Sequence, residues 1–301
     1  MSLRPFPRFF IVGAAKCGTS AMQHYLRQHP QIFMPEMKEI HHFAPDLLHP
    51  GDPFLDRGRY LELFAPAQAG QVVGEASVFY LLSEVAAAEI RHAVPDGRIV
   101  IMLRHPVDVA YALHSQLVYN GEEDIADFAA ALAVTEERRA GRRAPAHTRI
   151  ARKHVYLDVV RFSPQVERFL VAFGRDRVHI VLYEDLRADT GGEFRRLCRF
   201  LGVADDVAVQ FERVNRNKAV RLPSLQRGLA HPPASLRRLA RLFPDTLREG
   251  VKGALGRFNA SERPRLPLDP ELRARLTADL HEEILRLGQL TGRDLSHWLA
   301  R

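Results

Sequence analysis

Residues 8–26, RFFIVGAAKCGTSAMQHYL, constrain the fold more than any other stretch of the chain. RFFIVGAA has β-branched and aromatic residues without polar alternation, and reads as a strand buried on both faces. SAMQHYLRQHP then reads as a helix that stops at Pro30. Between them, Gly13 and Gly18 permit a tight turn and a close approach of the backbone to a ligand. Such a turn aims the N–H groups of Gly18, Thr19 and Ser20 at an anion, and the helix dipole adds to the attraction. The two glycines have the spacing of a triphosphate-binding loop, G-x-x-x-x-G-K-[ST]. The lysine does not: Thr19 follows Gly18, and Lys16 lies inside the loop.

Three further apolar runs read as strands: Gln71–Gly74, Ile99–Leu103 and Val178–Leu182, separated by helical patterns. This alternation predicts an α/β fold, a central parallel β-sheet flanked by helices. Ligands of such sheets bind beyond the carboxyl ends of the strands. Lys16, Glu75, Arg104 and Glu184, each just past a predicted strand, are therefore expected on one crevice. The chain is read as one domain, residues 1–301, with 226–301 as its mostly helical C-terminal part. Within that part, residues 221–267 look irregular. DPELRARLTADLHEEILRLGQLTG reads as one amphipathic helix, with Leu272, Leu276, Leu280 and Leu285 on a single stripe and Gly292 past its end.

The net charge of +7 suits an anionic ligand held in a positive cleft. It does not by itself suggest nucleic acid, because no basic run is interleaved with aromatics. Cys17 and Cys198 are too few for a disulfide scaffold, so a reducing compartment is expected. No stretch approaches the roughly 20 apolar residues of a membrane helix. The first apolar run leads straight into the glycine loop and reads as a strand, not a signal peptide. A cytoplasmic protein without a membrane span is expected.

The displaced lysine narrows the ligand. A triphosphate loop places its lysine on the terminal phosphates and needs an acidic residue after another strand for Mg²⁺. Here the strand Ile99–Leu103 is followed by Arg104-His105-Pro106, a base. A sulfuryl group on a nucleotide phosphate needs no metal. It needs a cation near the bridging oxygen, where charge develops on the leaving group. No metal site is expected, since the adjacent His41 and His42 lack further ligands at proper spacing.

The stretch FIVGAAKCGTSAMQHYLRQHPQIFMPEMKEIHHF resembles the 5′-phosphosulfate-binding region of sulfotransferases that use 3′-phosphoadenosine 5′-phosphosulfate (PAPS). It is closest to the heparan-sulfate-type and bacterial branches, in which a K-x-G-T-[TS] loop precedes a K-E-x-H-F-F-like stretch. VVGEASVFYL is similar to the segment carrying that branch's catalytic glutamate, and IVIMLRHPVDVAYALHSQ to its 3′-phosphate-binding strand and helix. VLYEDLRADTGGEFRRLCRFLGV and LGQLTGRDLSHWL extend the likeness over nearly the whole chain. The resemblance implies a P-loop-like sulfotransferase fold and transfer of a sulfuryl group from PAPS to a hydroxyl, or an amine, of a small-molecule or glycan acceptor.

Carried onto this chain, the resemblance implies that Lys16 stabilises the departing phosphate. The stretch Lys16, Cys17, Gly18, Thr19, Ser20 and Ala21 holds the phosphosulfate, and Arg104 binds the 3′-phosphate, a task suited to its planar fork. Glu75 is the implied general base, although Ala76, Ser77 and Val78 replace the Lys, Thr and Pro usual there. His41 is the alternative base, and Lys38 beside it contacts the sulfuryl group or the acceptor. Ala112 stands where the family has a phosphate-binding serine; Ser115, or His114, is the candidate replacement. Arg216, Lys218 and Arg221, in VNRNKAVRLPS, are further 3′-phosphate candidates. The product adenosine 3′,5′-bisphosphate should bind without metal. Two other classes make different demands: a P-loop nucleotide kinase needs ATP–Mg²⁺, and a nucleic-acid-binding module shows steep salt dependence.

Overall fold

The computed structural model describes residues 5–145, 148–212, 219–220, 260–261 and 266–300. Five strands form one sheet: β1 (Phe9–Gly13), β2 (Ile32–Phe33), β3 (Val72–Ala76), β4 (Arg98–Leu103) and β5 (Val178–Leu182). The order is β2-β3-β1-β4-β5 and every pairing is parallel. Phe9, Phe10, Ile11 and Val12 have no exposed surface, as a central strand covered on both faces requires. Each such side chain contributes about 1.5–3 kcal/mol relative to leaving it in water. The chain leaves β1 toward β3 on one side and returns to β4 on the other. The switch point therefore lies between β1 and β4, where parallel α/β sheets open a ligand crevice.

β5 has the predicted limits and β4 begins one residue earlier. β3 runs on to Ala76, so Glu75 is inside the strand and not just past it. β2 escapes prediction because two residues, paired with Val72 and Val73, carry no periodicity. Helix α1 (Thr19–Leu26) ends four residues before Pro30, with Arg27 as its cap.

The sheet belongs to a first compact unit, which gathers described residues within 1–109, 158–215 and 274–301. The Phe162–Phe173 helix packs on β4 and β5 with Phe162, Val166 and Phe169 buried; the Thr190–Leu201 helix packs on β5 with Phe194, Leu197, Cys198 and Leu201 buried. The expected single C-terminal helix is two, Pro270–Asp279 and His281–Thr291, meeting at Leu280. The buried stripe is Leu276, Leu280, Ile284, Leu287 and Thr291. Leu285 is 42% exposed. Five residues after Leu280 it has turned about 140° away from that face. The Glu283 carboxylate accepts the Ser163 hydroxyl at 2.7 Å, fastening the last helix to the Phe162–Phe173 helix.

The second unit gathers described residues within 110–157 and 216–273. Among its buried apolar residues, Leu113, Phe128, Ile150 and Tyr156 included, lies an ion pair: Arg138 donates two bonds to the Glu123 carboxylate, at 2.7 and 2.9 Å, with both side chains almost fully buried. Burial pushes the Glu123 carboxyl up, but bonds from His154, Arg138 and Tyr156 outweigh it and hold the group well below the usual carboxylate range. Ala219–Val220 and Ala260–Ser261 pair as a short antiparallel ladder. Among the described residues no helix is long and apolar enough to cross a membrane.

Candidate active site

The loop after β1 is shaped by two glycines. Gly18 caps α1 at φ 91°, a left-handed conformation, and an added Cβ would lie 2.9 Å from Leu186. At Gly13 an added Cβ would lie 2.6 Å from the Leu81 Cβ. No side chain caps the start of α1, so its first N–H groups stay turned toward the loop. Lys16 adopts φ 63° and its side chain is half-buried. Cys17 is fully buried, and burial pushes its thiol far above the usual range despite the nearby Arg104. It therefore offers a backbone, not a thiolate. Thr19 is buried, while Ser20 and Ala21 are half-buried.

Lys38 reaches back to this loop. Its ammonium donates to the Ser20 hydroxyl at 3.0 Å and to that of Thr19 at 3.5 Å, and pairs with Glu39 at 2.9 Å. Glu39, next to Lys38 in the chain, carries no sequence signal that singles it out. Its side chain is 33% exposed, and its other carboxylate oxygen accepts the Val78 N–H at 3.0 Å. Burial pushes the Glu39 carboxyl up, but the His41 bond and the Lys38 charge outweigh it and hold the group at about 2. It stays ionised through any working pH.

Backbone strain marks the same residues. Among the described residues, the non-glycine positions with positive φ are Lys16, Glu39 and His41, at 63°, 62° and 61°. Each such position costs about 1–2 kcal/mol in an L-residue. Strain of this kind clusters at ligand clamps and active sites. It was invisible in the sequence, although the K-E-x-H stretch already bracketed Glu39.

His41 is 2% exposed. Its Nδ1 donates to the Glu39 carbonyl at 2.8 Å, and its Nε2 lies 3.2 Å from the Glu39 carboxylate. Glu75 has no exposed surface. Ser77, Tyr60 and Tyr80 donate hydroxyls to it at 2.6, 2.8 and 3.0 Å. Glu75 and His41 are thus both enclosed, whereas Glu39 presents a partly exposed carboxylate beside the loop.

Arg104 follows β4 at the switch point, as expected. Its guanidinium lies over the Tyr183 ring, 4.8 Å from the centroid, and pairs with Asp108 at 3.3 Å. Glu184 does not point to a ligand role: one of its oxygens accepts the Trp298 indole N–H at 2.8 Å and faces His297 at 3.0 Å. In the second unit Ala112 is buried, and the Ser115 hydroxyl donates to the Tyr111 carbonyl one turn back at 2.8 Å. That bond leaves the Ser115 oxygen able only to accept. His114 is 3% exposed, bonded to the Ile125 carbonyl and packed on Phe128 and Tyr156. Arg216 and Lys218, with Arg221, lie outside the described residues.

The chemistry of this donor set is that of an anion cradle: N–H groups at a helix start, the hydroxyls of Thr19 and Ser20, and the cations Lys16, Lys38 and Arg104. Comparison with known proteins identifies the family. The sulfotransferase domain family matches residues 6–227. A solved sulfotransferase from Alicyclobacillus acidocaldarius is 31% identical, with a TM-score of 0.73; the alignment covers 98% of this chain and 100% of that one. The bifunctional heparan sulfate N-deacetylase/N-sulfotransferase 3 of Homo sapiens is 27% identical over 97% of this chain. The chain spans only 31% of that relative's length. The heparan sulfate glucosamine 3-O-sulfotransferase 3B1 of Mus musculus is 24% identical over 83% of this chain and 60% of its own length.

Proposed function

Because the chain belongs to the sulfotransferase domain family, we propose that it transfers a sulfuryl group from PAPS to a hydroxyl or amine of a glycan or small-molecule acceptor. We read both compact units as parts of one catalytic domain, since the family match runs through residues of each. The observation that carries the reading is the Lys38 ammonium on the Ser20 and Thr19 hydroxyls, with strained Lys16 in the same loop. This is a cationic cradle with a lysine inside the loop, which suits a phosphosulfate better than a metal-bound triphosphate.

In this reading the loop amides, Thr19, Ser20 and Lys38 bind the phosphosulfate, and Arg104 takes the 3′-phosphate. The acceptor oxygen or nitrogen attacks sulfur in line, forming the new bond to sulfur as the bond to the 5′-phosphate oxygen breaks. Lys16 neutralises the charge that develops on the departing phosphate. Glu39 takes the acceptor proton. Glu39 replaces Glu75 and His41 in this role because its carboxylate is partly exposed and one residue from Lys38, whereas the Glu75 carboxylate and the His41 imidazole are enclosed.

The experiment is transfer from ³⁵S-labelled PAPS to a panel of N- and O-acceptors on glycans and small alcohols. Label is expected in at least one acceptor, with magnesium chelated. Transfer of the γ-phosphoryl group of ATP–Mg²⁺ to the same panel, with none from PAPS, would replace this reading with a kinase.

A further inference from the structure

Glu75 is the buried carboxylate that the proposed reaction leaves unused, and its surroundings give it a different task. Three hydroxyls donate to it, and two of them also accept from the segment that bears Glu39. The Ser77 oxygen accepts the His41 N–H at 3.0 Å, and the Tyr80 oxygen accepts the Phe43 N–H at 3.3 Å. The Glu39 N–H donates to the Ala76 carbonyl at 2.9 Å. Alternate residues 39, 41 and 43 are thus all held by residues 76, 77 and 80. The third donor, Tyr60, carries the His42 ring stacked 4.0 Å away.

A hydroxyl has one proton to give. When Ser77 and Tyr80 give theirs to Glu75, their lone pairs remain for the backbone N–H groups of His41 and Phe43. The carboxylate therefore sets the direction of both hydroxyls. Left-handed φ at Glu39 and His41 persists only if surrounding contacts over-determine it.

We propose that Glu75 is a positioning residue: by orienting the Ser77 and Tyr80 hydroxyls it fixes the strained backbone of residues 39–43, and with it the Glu39 carboxylate. The proposal rests on the assignment of Glu39 as the base.

The same network makes the hold sensitive to pH. The groups facing Glu75 are Tyr60 from the Arg57–Glu62 helix, Ser77 and Tyr80 beyond β3, and Glu39 with its partners Lys38 and His41. Burial raises the Glu75 carboxyl, the three hydroxyl bonds lower it, and the Glu39 charge raises it again, to about 7. Burial and the Glu75 charge hold Tyr60 and Tyr80 well above their usual range, so both remain donors. Below about pH 7 Glu75 gains a proton and becomes a donor itself, and one of the hydroxyls must turn.

The test is Glu75→Gln in the full chain. The expected result is a fall in kcat of up to about 100-fold, the cost of slight misplacement at a reacting centre. Affinity for adenosine 3′,5′-bisphosphate should be unchanged, and the acid limb near pH 7 should vanish from the kcat profile. In a Glu39→Gln background, Glu75→Gln should change kcat less than about threefold, because groups acting through one another are not additive. Full multiplication of the two effects would overturn the proposal, as would a wild-type pH limb in Glu75→Gln. Tyr80→Phe keeps the ring and removes one oriented hydroxyl, so it covers the case in which Glu75→Gln does not fold. It should lower kcat and displace the limb; an unchanged profile would overturn the proposal. The base assignment fails separately, by full turnover in Glu39→Gln alone.

Discussion

Glu39→Gln is expected to lower kcat by about 10²–10⁴, the range of a positioned general base. The change keeps size and hydrogen-bonding shape while removing the charge. Affinity for adenosine 3′,5′-bisphosphate should stay within about threefold, because an interaction made with the acceptor proton affects turnover and not ground-state binding of the product. Lys38 loses its ion pair, at 2.9 Å, but keeps the Ser20 hydroxyl at 3.0 Å. Since the Glu39 carboxyl is held at about 2, its own ionisation places no limb in the neutral range. Steady-state rates with saturating labelled PAPS, paired with a bisphosphate titration, check this. Equal losses in turnover and bisphosphate affinity would show that Glu39 builds the donor site and is not the base.

Lys16→Met should cost about 10²–10³ in kcat, the loss seen when one preorganised charge-stabilising group is removed. Methionine keeps the Cβ and therefore the strain of φ 63°, so the variant isolates the charge. The effect should be larger on kcat than on KM for PAPS, because the negative charge grows as the bond to the leaving phosphate breaks. Single-turnover rates of sulfuryl transfer separate this from product release. A variant that raises KM alone would make Lys16 a ground-state anion binder.

Much of the fold was legible because the strands of a parallel sheet are apolar on both faces. Phe9–Val12 and Ile99–Leu103 are such runs, and Val178–Leu182 departs from one only at His179. β3 was cut short because Glu75 breaks the apolar pattern; the burial of Glu75 depends on Tyr60 and Tyr80, which no local rule connects to it. The stripe of the last helices was partly misassigned because Leu285 is as apolar as Ile284, and only the turn per residue separates them. In the site, the glycine spacing and Lys16 were readable from chemistry. Lys38 was readable as a cation near the loop, but its bonds to Ser20 and Thr19 require the folded chain. Glu39 was missed for a physical reason: its orientation comes from left-handed backbone at residues 39 and 41, and glutamate and histidine carry no propensity that announces it.

In the proposed reaction this cradle holds the nucleotide of a phosphosulfate and not a metal-bound triphosphate. Isothermal titration of the intact chain with adenosine 3′,5′-bisphosphate in the presence of EDTA tests it most directly, with ATP–Mg²⁺ as the competitor in a second titration. Saturable binding of the bisphosphate without metal is expected, weakened by Arg104→Lys, which retains the charge but loses the planar fork. Tighter binding of ATP–Mg²⁺ than of the bisphosphate would contradict it.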